Sequence, residues 1–236
     1  NPPFSAQWSA NPLFTSDDRF SQYGRLAPSS KADFAFVQHM VYHLAPNGSA
    51  GIVLANGSLS TNTSNEGEIR KNLLEEDMVD AIVALPDRLF YSTSIPVSLW
   101  ILNRNKKDNP KFRSREHEVI FIDARNLGVM IDRRHRELTE EDITKISETY
   151  HEWRNIDGEY EDIKGFCKST KIEEIREHEY VLTPGRYVGI EDIEDDGISF
   201  DEKMENMTSE LAELFAKSRH LEEEIRNNLG GIGYEF

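Results

Sequence analysis

Residues Met78–Asn103 read MVDAIVALPDRLFYSTSIPVSLWILN, and this stretch decides the fold. Two apolar runs, Met78–Leu85 and Val97–Asn103, have the length and composition of buried strands. Pro86-Asp87 breaks the first run. The link between them, Pro86–Pro96, is too short for a crossover helix, so the two strands are expected to be antiparallel neighbours. The link itself is rich in Phe, Tyr, Ser and Thr.

Working upstream, Ala50–Ala55 (AGIVLA) is a third buried-strand pattern, turned at its end by Asn56-Gly57-Ser58. Before it, Phe34, Val37, Val41 and Leu44 recur at helical spacing, predicting a helix over about Ala32–Leu44 capped by Ser29 or Ser30 and stopped by Pro46-Asn47-Gly48. After it, Ile69 and Leu73 share one face of a helix over Glu66–Glu75. Ser5–Ser30 has neither period and reads as a long loop carrying Trp8, Phe14, Phe20 and Tyr23. Downstream, Glu118–Ala124 is a fourth strand, and Thr139-Glu140-Glu141-Asp142 is a capping-box pattern opening a helix with Ile143, Ile146, Tyr150 and Trp153 on one face. Residues 155–170 read as polar and irregular. A short helix near Ile172–Glu177 precedes a turn at Tyr180–Gly189, and residues 191–202 form an acidic linker. Met204, Met207, Leu211, Leu214, Ser218, Leu221 and Ile225 then follow a 3-4 repeat, the seam of a heptad helix. So narrow a seam fits one partner helix, supplied by its own domain or by another chain.

The first four residues are Asn1-Pro2-Pro3-Phe4. Each proline fixes its own φ and pushes the residue before it out of the helical region. The Asn1 amide oxygen and the Pro2 carbonyl then face one way, with an aromatic ring close behind. That arrangement suits a planar group bearing an exocyclic amine, because both oxygens accept from NH2 and Phe4 offers a stacking face. Asn-Pro-Pro is equally a stiff turn.

The 236 residues are 38% hydrophobic and 30% charged, enough to bury a real core in one large domain, or in one domain with an appendage. No apolar run reaches the length of a membrane span. The single cysteine, Cys167, excludes an internal disulfide and a cysteine-based metal cluster, and suits a reducing cytoplasm. A net charge of −16 argues against a stand-alone nucleic-acid binder. Yet Arg104–Arg136 holds ten basic residues against five acidic ones, so this window carries +5 while the remainder carries −21. It is either a solvated loop surface or a phosphate-facing patch. No initiator Met or signal peptide opens the chain, and it begins inside a motif, which predicts a piece of a longer gene product.

Three stretches carry a family resemblance: Asp33–Leu44 followed by Pro46-Asn47-Gly48, Leu85–Pro96, and Leu182–Val188. Together with the Asn-Pro-Pro-Phe motif they resemble the modification subunit of type I restriction–modification enzymes, over essentially the whole chain. The resemblance implies an α/β fold: the C-terminal half of a Rossmann-like class I methyltransferase sheet with an antiparallel strand pair, then a helical C-terminal region. Residues 1–136 would be the second half of the catalytic domain, 137–190 a helical or irregular extension, 191–202 the linker and 203–229 the docking helix.

The activity implied is methyl transfer from S-adenosylmethionine to N6 of an adenine flipped out of DNA. Asn1 and Pro2 would accept from the amine and Phe4 would stack on the base. Phe90 and Tyr91 would add aromatic contact, unless they only pack under the hairpin. Arg133, Arg134 and Arg136 would face the DNA backbone. Met207, Leu211, Leu214, Leu221 and Ile225 would dock on the specificity subunit. A restriction subunit and a second modification subunit are further implied partners. In the family, the strand, glycine-rich loop and acidic residue that hold the cofactor lie upstream of this motif. The chain by itself is therefore expected neither to bind S-adenosylmethionine tightly nor to methylate, and to self-associate through the Ala50–Ala55 edge. Asn1, as a terminus, is expected to lose its working geometry. Two alternatives carry the same features: a non-catalytic assembly module, or an amino-methyltransferase acting on protein or RNA.

Overall fold

The computed structural model describes residues 2–21, 25–191 and 199–234. Its helices are α1 (Asp18–Ser21), α2 (Asp33–His43), α3 (Glu66–Glu75), α4 (Glu140–Arg154), α5 (Ile172–Glu177) and α6 (Phe200–Gly231). Its strands are β1 (Ser49–Ala55), β2 (Val79–Ala84), β3 (Val97–Asn103), β4 (Glu118–Asp123), β5 (Val129–Met130), β6 (Arg136–Glu137) and β7 (Cys167–Lys171). The chain divides into two compact units, residues 1–192 and 193–236.

In the first unit, five strands form a mixed sheet in the order β1-β3-β2-β4-β7. β3 runs antiparallel to β1 and β2 on its two sides, as the short Pro86–Pro96 link requires. β2 and β4 are parallel, and the intervening chain makes that crossover without a helix. β1 lies at the sheet edge, its only ladder among the described residues being the one to β3.

Strand β7 is a correction to the reading of residues 155–170 as irregular. Its sequence, Cys-Lys-Ser-Thr-Lys, is polar because it pairs antiparallel with β4 at the other sheet edge and buries only Cys167 and Thr170 well. Alternation that weak does not register as a strand pattern. The cap of α2 is a second correction. Neither Ser29 nor Ser30 caps it. The cap position is Ala32, whose side chain makes no bond, and the carboxylate of Asp33 at the first helical position instead reaches back to the backbone of Ser5. The capping box of α4 forms as expected, with Thr139 and Asp142 exchanging bonds. Of the four apolar residues read onto its inner face, Tyr150 and Trp153 are buried, while Ile143 is exposed.

The long loop also has internal structure. A 3-10 turn at Pro12–Ser16 and α1 bring Trp8, Phe14 and Phe20 into one aromatic cluster with centroids 5.6–5.8 Å apart. The Trp8 indole donates to the Pro28 carbonyl at 2.9 Å. Trp8 N donates to Ser29 O and Ala32 N to Ala6 O, strapping the loop beside α2.

Three buried cations pin irregular backbone to this sheet. Arg70 on α3 donates to the carbonyls of Tyr180 at 2.7 Å and Thr61 at 2.6 Å. Lys106, its side chain fully enclosed, donates to Asp77 at 2.6 Å and to the Val79 carbonyl at 2.8 Å. Arg115 faces Asp80 of β2, both side chains wholly buried, and Asp80 also accepts from the Tyr150 hydroxyl at 2.6 Å. Burial, and then the Asp80 charge, push the Tyr150 phenol well above its ordinary range. Stacking of Phe121 on Tyr187, with centroids 3.8 Å apart, holds the Tyr180–Gly189 segment against β4.

The second unit is α6, a 32-residue helix capped by Ser199, whose hydroxyl accepts from Glu202 N. It starts four residues before the heptad pattern, at Phe200 against Met204, and none of its described residues is buried. Met207, Leu211, Leu214, Leu221 and Ile225 are each between 47% and 65% exposed.

Asp80 offers a direct stability test. Replacing it with Ala leaves the Arg115 guanidinium buried without its carboxylate and the Tyr150 hydroxyl without its acceptor. Denaturant unfolding of the D80A variant should show a loss of about 3–5 kcal/mol. D80N, which keeps an acceptor, should lose less.

Candidate functional site

The carboxyl ends of β1, β2 and β4 lie at one edge of the sheet, since Ala55 pairs with Val97, Ala84 with Ser98, and Ala84 with Asp123. The Pro86–Pro96 loop leaves β2 and enters β3 at this same edge. In open α/β sheets this is the edge where ligands bind. Here the loop meets the start of the chain: Pro2, Pro3, Phe4 and Ser5 line a cleft of about 720 Å³ together with Phe90, Ser92, Thr93 and Ile95. Phe4 and Phe90 contact edge to face, with centroids 5.3 Å apart and planes at 82°. Both rings are half-buried and also pack against the core cluster that contains Val83, Val97 and Ile122. Asn1 lies outside the described residues.

The backbone on either side of this aromatic pair is unusual. Ser5, directly after Phe4, has φ +51°, and Arg88, two residues before Phe90, has φ +64°. Non-glycine residues take this left-handed region only where their surroundings impose it. At Ser5 the constraint is its N–H, donated to the Asp33 carboxylate at 2.9 Å. At Arg88 it is the carbonyl, which accepts from Arg136 N at 2.9 Å.

Tyr91 points away from the first cleft. It is 87% exposed and its ring lies 4.9 Å from that of His135. A second cleft, about 350 Å³, is lined by Arg88, Phe90, Tyr91, Ser92, Thr93, Ser94, Arg133, Arg134 and His135. Phe90, Ser92 and Thr93 line both clefts. The fold therefore brings Phe4, Phe90, Tyr91, Arg133 and Arg134 to one side of the molecule. His135 accompanies them, and its ring nitrogen bonds Asp132 at 2.6 Å. That bond, with the Arg134 and His135 backbone N–H groups, pulls the Asp132 carboxyl down to about 2.

The basic window does not form one cationic surface. Arg104 donates to the carbonyls of Val41 and Leu44, and Lys106 and Arg115 are buried in their pairs. Lys107, Arg113 and Arg125 pair with Glu116, Glu118 and Asp123. Arg136 donates to the Leu127 carbonyl at 3.0 Å and approaches Asp87 at 3.8 Å, so it is committed to holding the β5–β6 ribbon against the loop. Among the described residues only Lys111, Arg133 and Arg134 of the ten have no side-chain bond or ion pair. Two of those three line the second cleft. Sequence reasoning missed Asp33, Ser92, Thr93 and His135. None of them breaks a pattern locally, and an Asp in the first turn of a helix reads as ordinary dipole chemistry.

Among the described residues there is no cluster of His, Cys, Asp and Glu fit to hold a metal ion, and no helix is long and apolar enough to cross a membrane.

The sequence profile of the N-6 DNA Methylase family matches residues 1–196. The methylase subunit of the type I restriction enzyme HindI from Haemophilus influenzae is 52% identical over 235 residues, covering 100% of this chain and 51% of that protein. The MjaIX methylase subunit from Methanocaldococcus jannaschii is 42% identical over 241 residues, covering 99% of this chain and 42% of that protein. Among solved structures, the methyltransferase subunit of a type I restriction-modification system from Streptococcus thermophilus superposes with a TM-score of 0.69 at 41% identity, over 79% of this chain and 36% of that one. The chain thus spans about half the length of the curated relatives it matches.

Proposed function

Because this chain belongs to the N-6 DNA Methylase family, we propose that it forms the acceptor-base side of an adenine-N6 DNA methyltransferase, the modification subunit of a type I restriction–modification enzyme. The observation that carries this reading is the Phe4–Phe90 pair walling a cleft beside Pro2 at the carboxyl edge of the sheet. A base inside a duplex cannot be reached, so the adenine swings out into the cleft and stacks on Phe4. The Asn1 amide oxygen and the Pro2 carbonyl accept from its N6 amine. Hydrogen bonds accepted from both N–H groups would keep electron density on nitrogen as its bond to an electrophilic methyl carbon forms and that carbon's bond to the donor breaks, one N6 proton then leaving to solvent. No nucleophile of the enzyme is required, which agrees with a site built of acceptors and rings.

The methyl donor in this reading is S-adenosylmethionine. The described residues present no strand, glycine turn and helix of the kind that holds it: Gly48 precedes β1, Gly51 lies within it, and β1 ends in a 3-10 turn at Asn56–Leu59. The part assigned to this chain is therefore to bind and orient the acceptor, and the chain by itself is not expected to methylate. In the complete gene product, Phe4→Ala and Asn1→Ala should each lower methyl transfer to adenine-containing duplex by at least about 100-fold, as loss of positioned transition-state contacts does. Transfer retained within threefold in both variants would point instead to the assembly-module reading.

Arg133 and Arg134 supply the phosphate contacts in this reading, leaving target recognition to a separate specificity subunit. That division fits a chain of net charge −16. Reversing both charges should weaken DNA binding and reduce the slope of log affinity against log salt by about two. An unchanged slope would make this a bland surface.

The exposed seam of α6 supports docking on helices of the specificity subunit. Replacing Leu214 and Leu221 with Asp should abolish co-purification with that subunit while leaving the unfolding midpoint of the sheet unit unchanged. An assembly that survives the double change would remove the docking role.

A further inference from the structure

Asp33 is 3% exposed, yet its carboxylate makes no ion pair among the described residues. Its contact is the Ser5 N–H, at 2.9 Å. Ser5 is held there at φ +51°, directly after the ring that walls the first cleft. A second tie lies one residue further on each side, where Ala32 N donates to Ala6 O at 2.8 Å. The start of α2 therefore grips the backbone immediately behind Phe4 at two adjacent points.

The strength of that grip follows from its chemistry. An ionised carboxylate accepting a main-chain N–H makes a charge-assisted bond. At the first turn of an 11-residue helix the negative charge also faces the free N–H groups and the positive end of the dipole. A left-handed serine would otherwise relax toward the extended or right-handed region. Relaxation at Ser5 would rotate the peptide that carries the Phe4 carbonyl and swing the ring away from Phe90.

We infer that Asp33 is a positioning residue for the acceptor base: through its bond to Ser5 N it fixes the left-handed turn that aims the Phe4 ring into the cleft. It touches neither the base nor the reacting atoms. The inference rests on the adenine reading proposed above, and it extends that reading to a residue 28 positions along the chain from the serine it holds.

The test uses the complete gene product assembled with its partner subunits and two duplexes: one with adenine at the target position, on which methyl transfer is read, and one with 2-aminopurine there, which has no N6 amine and reports only the base leaving the stack, by a rise in fluorescence. Phe4→Ala sets the reference. Asp33→Ala should reduce the flipped-base signal and methyl transfer by about tenfold, the size expected for losing a hydrogen bond to a charged group. In the Phe4→Ala background, Asp33→Ala should add less than a twofold further change, because its effect runs through that ring. Asp33→Asn, whose side-chain oxygen still accepts from Ser5 N, should recover most of the signal. A merely structural role would give a different pattern: Asp33→Ala would lower both backgrounds equally, in step with a lowered unfolding midpoint. Equal effects in both backgrounds, or no effect of Asp33→Ala where Phe4→Ala has one, would overturn the inference. If Phe4→Ala itself changes nothing, the adenine reading fails rather than the role of Asp33.

Discussion

The antiparallel insertion of β3 between β1 and β2 is the constraint on which the rest of the structure depends. Ladders on both sides of β3 fix the register of three strands at once, and Trp100 at its centre packs edge-on against Phe34 of α2. With β2 and β3 antiparallel, the loop joining them must begin and end at the same edge of the sheet. Parallel β4 sends its own carboxyl end there too. Irregular, hydroxyl-rich and aromatic chain is thereby confined to one edge, and the Pro2–Ser5 segment meets it. The cleft is a consequence of strand order before it is a consequence of any particular side chain.

Opposite that edge the structure solves a different problem. The segment from Arg104 to His117 connects β3 to β4 without regular structure, so its backbone groups and those it covers need partners. Lys106 and Arg115 provide them by entering the interior as charges. Each would be costly alone, and each is paired with a buried or half-buried carboxylate while donating further to main-chain carbonyls. Burial lowers the Lys106 pKa and the Asp77 charge opposes that shift. Such pins fix one geometry for an irregular connection. They also explain why cations that look like a surface patch in sequence leave so little positive surface in the fold.

Legibility in the sequence divided along the same line. The antiparallel pair was legible because it needed only two apolar runs and a link too short for a helix. The α4 cap was legible because it is local, residue to residue over three positions. What escaped were features set by partners distant in sequence. β7 is a strand because β4 is beside it, not because Cys-Lys-Ser-Thr-Lys prefers one. The cap at α2 was misread because Asp33 serves Ser5 rather than its own helix end. The charge window could not be sorted by counting, since burial of Lys106 and Arg115 depends on Asp77 and Asp80, which lie outside it. At the site, the motif and the Phe90 loop were legible separately. Their meeting, and the sharing of Phe90, Ser92 and Thr93 between two clefts, belong to the folded chain.

The geometry of the aromatic pair narrows what each ring can do. At an interplanar angle of 82°, a planar base stacked on one ring must present its edge to the other. Two aromatic residues beside a cleft therefore do not amount to two stacking faces. Phe4 follows directly on Pro2-Pro3, so on the proposed reading a base whose amine reaches the Pro2 carbonyl would lie over Phe4 and meet Phe90 along its rim. Phe90 is also tied into the core below it, so it works as a fixed wall. Tyr91, turned out toward His135, stands on the side of the second cleft, where Arg133 and Arg134 are uncompensated. On the proposed reading, a nucleotide with its base in the first cleft would pass its sugar and phosphate across the Phe90–Thr93 segment, which lines both clefts. One short loop would then separate the part of that ligand met by a ring from the part met by charge.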